Sequence, residues 1–367
     1  MQTEHSFIQG DARYMENLEE ESIHLVVTSP PYPMIEMWDG TFAWLNPEAG
    51  EALRRGDGRT AFELMHRELD RVWWRLFQLV AEGGFICINI GDATRKLGEE
   101  FRLYSNHARI MQKFWELGFT PLPLILWRKP TNAPTKFMGS GTLPAGAYVT
   151  LEHEYILIFR RGGKRRFPGE KDKENRRESA VFWEERNKWY SDLWDFKGSR
   201  QGIAADTPVV SSGKLRNRSG AYPFALPFRL INMYSLYGDT VLDPFLGLGT
   251  TSLAAMACGR NSLGLEVDND LLSLLERKIT TPSAVEELNC YQQERFENHL
   301  EFVREYRKTK GRLPGYNNSC HGIPVVSRQE TGLKLRLVDK ILQNTAGNYT
   351  VKYKEFMPRD SRCSFQE

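Results

Sequence analysis

A glycine loop set between a short apolar strand and a helix, with an acid following at the end of the next strand, constrains this chain more than any other feature. Thr240 to Leu242 reads as the strand, Asp243-Pro244-Phe245-Leu246-Gly247-Leu248-Gly249-Thr250-Thr251 as the loop, and Thr251 to Cys258 as the helix. Glycines there let the backbone approach a ligand at the helix N-terminus. The string is not the dinucleotide pattern GxGxxG, because Ser252 occupies the third glycine position, nor a P-loop, because no Lys follows Gly249. Ser262 to Val267 reads as the next strand and carries Glu266 in Gly264-Leu265-Glu266-Val267-Asp268. An acid about 20 residues beyond the loop is placed to accept hydrogen bonds from ribose hydroxyls. Together these features predict an adenosine-containing cofactor without a pyrophosphate. The competing reading is a tight strand–helix turn with an incidental surface Glu.

A second string carries chemistry. Ser22 to Ser29 reads as a buried strand through Ile23, Leu25, Val26 and Val27, and Ser29-Pro30-Pro31-Tyr32 follows it directly. Two prolines fix φ near −65° and remove two N–H donors, so the carbonyls beside them are rigidly aimed and free to accept. Exocyclic amines of bases are poor nucleophiles because the nitrogen lone pair is delocalised into the ring. Ser29 Oγ and the Pro30 carbonyl would accept the two amino hydrogens and favour a pyramidal nitrogen, while Tyr32 would stack on the base. Catalysis of this kind is mostly orientation and electrostatic positioning.

The surrounding pattern is α/β. Helical spacing from Ala61 to Ala81, closed by Glu82-Gly83-Gly84, leads to a buried strand at Phe85 to Ile90. A helix at Asn106 to Leu117 and strands at Leu122 to Trp127 and Tyr155 to Phe159 follow, which predicts a doubly wound sheet. With 367 residues, 41% hydrophobic and 26% charged, the chain suffices for one large core plus a smaller region. A net charge of +2 means that any basic surface must be local. Cys87, Cys258, Cys290, Cys320 and Cys363 form no CxxC pair, so free thiols and no metal site are expected. His153 in Glu152-His153-Glu154 reads as structural. No signal-peptide pattern and no long apolar run stand out, so a prokaryotic cytoplasm, with the protein associated with the nucleoid, is the expected location.

On these two strings the chain, from about Phe7 to Lys278, resembles the β-class amino-methyltransferases of restriction–modification systems, in which the catalytic motif precedes the cofactor motif. The resemblance implies a Rossmann-like class I fold: a seven-stranded, mostly parallel α/β sheet with one antiparallel strand and helices on both faces. It implies S-adenosyl-L-methionine as cofactor and base flipping in double-stranded DNA. Ser-Pro-Pro-Tyr resembles the N4-cytosine form, whereas N6-adenine enzymes usually carry Asp or Asn in place of Ser29. The expected catalytic residues are therefore Ser29, Pro30, Pro31 and Tyr32. Gly10-Asp11 resembles the segment whose acid contacts the adenine, and Tyr222-Pro223-Phe224-Ala225-Leu226-Pro227 the segment beside the methionine moiety. Cofactor contacts are thus expected from Asp11, Pro223, Phe224, Asp243, Phe245, Gly247, Gly249, Thr250, Thr251, Glu266 and Asp268. The strands that carry Ser29 and Asp243 should lie side by side at the switch point of the sheet.

Residues 1–159 are expected to form the catalytic half, 160–220 a target-recognition region, 221–281 the cofactor half, and 282–367 an extension without assigned chemistry. Arg165, Arg166, Arg176 and Arg177, with Lys214, Arg216 and Arg218, are the expected DNA contacts in the basic insert; the alternative pairs them with local acids. Trp183, Trp189 and Trp194 read as a small local core. A cognate restriction endonuclease and a homodimer are conceivable partners. N6-adenine methylation, an RNA substrate and a catalytically idle DNA-binding relative are the competing functions.

Overall fold

The computed structural model describes residues 1–129, 139–196, 222–345 and 347–357. Its first strands are β1 (Gln2–Gln9), β2 (Ile23–Thr28) and β3 (Val80–Ile90). A small hairpin, β4 (Ala93–Leu97) and β5 (Glu100–Tyr104), precedes β6 (Phe119–Arg128), β7 (His153–Arg161) and β8 (Leu193–Asp195). The later strands are β9 (Thr240–Asp243), β10 (Asn261–Glu266), the short pair β11 (Tyr316–Asn317) and β12 (Pro324–Val325), then β13 (Arg336–Gln343) and β14 (Tyr349–Glu355).

Ten of them form one sheet in the order β13-β14-β1-β10-β9-β2-β3-β7-β6-β8. Its central seven, β1 to β6 in that order, are parallel except for β7, which runs antiparallel to both β3 and β6. This is the expected seven-stranded sheet with one reversed strand. It is extended by β8 at one edge and by the β13–β14 hairpin, docked antiparallel on β1, at the other. The two halves meet at the centre, where Leu25 pairs with Val241 and Val26 with Leu242.

Side chains of the central strands alternate between two cores, as the twofold strand period requires. Leu25, Val27, Cys87, Ile156 and Ile158 face one; Ile23, Val26, Ile86, Ile88 and Phe159 face the other. The helices, in chain order, are α1 (Asp39–Leu45), α2 (Pro47–Arg54), α3 (Gly58–Leu79), α4 (Asn106–Glu116), α5 (Glu170–Glu178), α6 (Trp183–Trp189), α7 (Ala225–Tyr234), α8 (Thr250–Cys258), α9 (Asn269–Ile279) and α10 (Ala284–Lys310). Helix α3 begins at Asp57, whose side chain accepts from Thr60 N, and buries Leu64, Leu69, Val72, Trp73 and Leu76 on one stripe. Helices α7 and α8 pack on the other face.

The Glu82-Gly83-Gly84 string does not end α3. The helix stops at Leu79, and the glycines form a bulge inside β3, where register shifts between Ile23 and Leu25 and Gly83 adopts φ +78°. The C-terminal extension is integral to the body. Asn289 of α10 exchanges two hydrogen bonds with the backbone of Val338 at 2.9 and 2.8 Å, and Arg295 makes a buried two-pronged pair with Glu185 of α6. Trp189 and Trp194 join the main core, while Trp183 is exposed. Among the described residues no helix is long and apolar enough to cross a membrane.

Candidate active site

Each central parallel strand delivers its last residues to one edge of the sheet, and a cavity of about 790 Å³ opens there. Ser29 to Tyr32 follow β2, Gly10 and Asp11 follow β1, Asp243 ends β9 and Glu266 ends β10; all line the cavity.

The two motifs are joined by buried side chains. Thr28 Oγ1 donates to Asp243 Oδ1 at 2.6 Å, and Phe245 N donates to the same oxygen at 3.1 Å. Thr251 Oγ1 and Tyr222 OH donate to Oδ2 at 2.7 and 3.2 Å. Four donors fill the acceptor positions of one carboxylate. Burial raises the Asp243 pKa to about 6 against the opposing effect of these bonds. Asp243, one of the expected cofactor residues, lines the cavity, and its carboxylate clamps the two motifs together.

Gly247 and Gly249 both have positive φ, +54° and +74°. A Cβ on Gly249 would lie 2.4 Å from the Leu275 side chain, so only glycine fits this turn into α8. Gly247 N donates to Glu266 Oε2 at 2.8 Å and Asp268 N to Oε1 at 2.9 Å. Glu266 therefore braces the loop while retaining acceptor capacity toward the cavity that it lines. Burial raises its pKa above the ordinary carboxylate value.

Of the other expected cofactor residues, Asp11, Phe245, Gly247, Thr250 and Asp268 line the cavity. Asp11 is held by the Arg13 guanidinium at 2.7 Å, and Asp268 caps α9. Pro223, Phe224, Gly249 and Thr251 do not line it. Phe224 stacks on Tyr291 at 4.0 Å, and Thr251 is a buried tie to Asp243, so Tyr222 is the residue that this segment sends to the site.

At the other end of the cavity, Ser29 Oγ donates to Tyr32 OH at 3.0 Å and Tyr32 OH to Glu154 Oε2 at 3.0 Å. Asn89 Nδ2 donates to both, at 2.8 and 2.6 Å, and Lys129 pairs with Glu154. Buried Asn106 donates to the carbonyls of Pro33 and Gly91, which fixes the turn after Tyr32, where Met34 takes φ +67°. Sequence reasoning passed over Asn89, Lys129 and Glu154. No local pattern marks them; the sheet order brings them together, Asn89 and Lys129 where β3 and β6 reach the rim and Glu154 where reversed β7 leaves it. Residues of α1 and the turn before it, among them Trp38 and Trp44, also line the cavity without having been foreseen. His153 instead meets the Tyr155 ring edge-on, and no cluster among the described residues could hold a metal ion.

The basic insert is divided. Arg165 makes a two-pronged pair with Asp239 at 2.5 and 2.9 Å, and Asp239 precedes β9 at the edge opposite the cavity. Arg166, Arg176 and Arg177 are exposed on the same stretch. These four are not brought to the site, because β7 runs antiparallel and leaves the sheet at its far edge. Lys214, Arg216 and Arg218 lie outside the described residues.

The cavity fits an adenosine methyl donor: glycine backbone, a ribose-type acid in Glu266, a second acid in Asp11, and apolar walls from Ala12, Phe245, Val267 and Leu271. Fold and site define a class I methyltransferase. Residues 23–277 match the family model described as DNA methylase, and the chain belongs to this N6/N4 DNA methylase family. It is 46% identical, over 99% of both chains, to the type II methyltransferase M.MthZI of Methanothermobacter thermautotrophicus. To M.MjaI of Methanocaldococcus jannaschii it is 46% identical over 76% of this chain and 91% of the other. Among solved structures, TTHA0409 of Thermus thermophilus in complex with S-adenosyl-L-methionine matches with TM-score 0.55 and 31% identity, covering 75% of this chain and 92% of its own. The cytosine-N4-specific PvuII DNA methyltransferase shares the fold, with TM-score 0.51 and 18% identity over 74% of this chain and 85% of its own. The protein is an S-adenosyl-L-methionine-dependent DNA methyltransferase.

Proposed function

We propose that the chain methylates the N4 amino group of cytosine in duplex DNA, within a defined sequence, as the modification member of a restriction–modification pair. The observation that carries the cytosine reading is Ser29, a neutral hydroxyl at the position where a carboxylate or amide would favour adenine. Its Oγ lines the cavity beside Pro30, and its own hydrogen is directed away to Tyr32. The pairing with an endonuclease rests on the type II relatives.

In this reading the target base leaves the stack and enters beside Ser29 and Tyr32. Ser29 Oγ and the Pro30 carbonyl accept the two amino hydrogens; Pro31 stiffens the turn and Tyr32 holds the base plane. Asp11, Phe245, Gly247, Thr250, Glu266 and Asp268 hold the cofactor, which supplies an electrophilic methyl group when bound. No strong base is required, because the amine loses its proton after transfer. We assign phosphate contacts to Lys214, Arg216 and Arg218, the second basic cluster of the sequence.

The test is mass spectrometry of nucleosides from DNA treated with purified protein and isotope-labelled S-adenosyl-L-methionine. Labelled N4-methylcytosine is the expected product. N6-methyladenine without N4-methylcytosine transfers the same machinery to adenine and overturns the cytosine reading.

A further inference from the structure

Glu154 lines the catalytic cavity, yet the tetrapeptide chemistry described above assigns it no part. It stands near the start of β7, the one reversed strand of the central seven, so it reaches the rim at which the parallel strands end. Three groups meet its carboxylate: the Lys129 ammonium at Oε1, and Asn89 Nδ2 and Tyr32 OH at Oε2.

The direction of each hydrogen bond follows from the donor inventory. An ionised carboxylate only accepts. The Asn89 atom 2.6 Å from Glu154 Oε2 is therefore the amide nitrogen, since its oxygen there would face another acceptor. The same nitrogen donates to Tyr32 OH. Tyr32 has one proton and two acceptor positions; Asn89 and Ser29 occupy the acceptors, and the proton goes to Glu154. Burial, followed by the negative charge of Glu154, raises the Tyr32 pKa well above the ordinary phenol value, so this proton stays in place. Ser29 then has its own proton committed to Tyr32, and its remaining lone pairs are available to the cavity.

We propose that Glu154 is a positioning residue that, acting through Tyr32, fixes the polarity of the Ser29–Tyr32 hydrogen-bond chain so that Ser29 Oγ meets the target amine only as an acceptor. The proposal rests on the amino-methylation reading above. Polarity matters because a freely rotating serine could donate to the amine nitrogen and occupy the lone pair that must attack the methyl group. Lys129 on the opposite oxygen holds the carboxylate in place and offsets its charge in a half-enclosed site.

The test uses the full chain, with steady-state kinetics on methylatable DNA and calorimetric titration of S-adenosyl-L-methionine. Glu154→Gln can present an N–H to Tyr32 and reverse the chain. It is expected to lower kcat by about tenfold or more, with cofactor Kd and DNA KM within about twofold of wild type. Glu154→Asp keeps an acceptor-only group and is expected to recover part of the rate. Adding Glu154→Gln to Tyr32→Phe should cost nothing further, because the effect runs through the Tyr32 hydroxyl; independent effects would multiply. The proposal is overturned by a wild-type kcat in Glu154→Gln, by multiplicative effects in the double variant, or by equal losses in the Gln and Asp variants with weakened cofactor binding. A wild type that binds cofactor but methylates no DNA overturns the underlying reading instead, whereas an active wild type matched by Glu154→Gln overturns this inference alone.

Discussion

Thr28 Oγ1 lies 2.6 Å from Asp243 Oδ1, joining residues 215 positions apart in the sequence. The bond ties the residue before the catalytic tetrapeptide to the first residue of the glycine loop. In the proposed reading, the relative placement of target base and methyl donor depends on this buried hydroxyl–carboxylate contact.

Thr28→Val keeps the shape and removes the donor. It leaves a buried carboxylate one partner short, at a cost of about 1–3 kcal/mol. A lower urea midpoint is expected, with kcat reduced more than cofactor affinity, and Thr28→Ser should restore both. A Val variant with wild-type stability and rate would exclude the tie as a determinant of alignment.

Glu266→Gln places an amide nitrogen against Gly247 N or Asp268 N, two donors that now face an acceptor-only group. One of the two brace bonds and an acceptor toward the cavity are lost. Calorimetry should record a loss of S-adenosyl-L-methionine affinity of about 10–100-fold, or about 1.4–3 kcal/mol. Unchanged affinity would remove Glu266 from the cofactor site.

Arg165→Ala should reveal a structural arginine. It strips the guanidinium from Asp239, whose side chain is 5% exposed and keeps only the Leu236 N donor and nearby His24, and is expected to destabilise the fold by about 1–3 kcal/mol. The slope of log DNA affinity against log salt should stay at its wild-type value, because the residue sits at the edge opposite the cavity. A shallower slope would return Arg165 to the DNA interface.

His5 is buried between Thr3 Oγ1 and Ser262 Oγ, each 2.8 Å away, and burial lowers its pKa to about 3. The unfolded chain takes up a proton near pH 6.5 that the folded state refuses, so stability is present at neutral pH and declines as pH falls through the window from 6.5 toward 3. Between pH 6.5 and 5 the loss attributable to His5 is about 2 kcal/mol. Denaturant midpoints of His5→Gln should vary less with pH over that window; an unchanged pH dependence would contradict the assignment.

The parts of the site that were legible in the sequence are those whose function forces a local pattern. Pro30 and Pro31 need rigidity, Gly247 and Gly249 need positive φ, and Glu266 sits at a strand end fixed by the sheet. Glu154, Lys129 and Asn89 were not legible, because each is an ordinary residue at a strand end and only the sheet order brings them together. The direction of β7 decides two outcomes at once: it carries Glu154 to the site and Arg165 away from it. A charge cluster in sequence has no direction, which is why the basic run at 160–177 looked like an interface. Pro223 and Phe224 do not line the cavity for a subtler reason. The motif was recognised, but its aromatic ring is spent on Tyr291 and Phe228, and the neighbouring Tyr222 turns inward.

The β13–β14 hairpin, which seals the edge of β1, has a consequence for biosynthesis. Gln2 to His5 pair with Tyr349 to Lys352, so one side of β1 is completed by a strand synthesised much later. A nascent chain can assemble both motifs and their clamp while β1 still offers a row of unpaired backbone groups. Chains stalled or cleaved before residue 349 would thus carry the reaction centre together with an open strand edge, and their expected fate is edge-to-edge association rather than a smaller soluble enzyme.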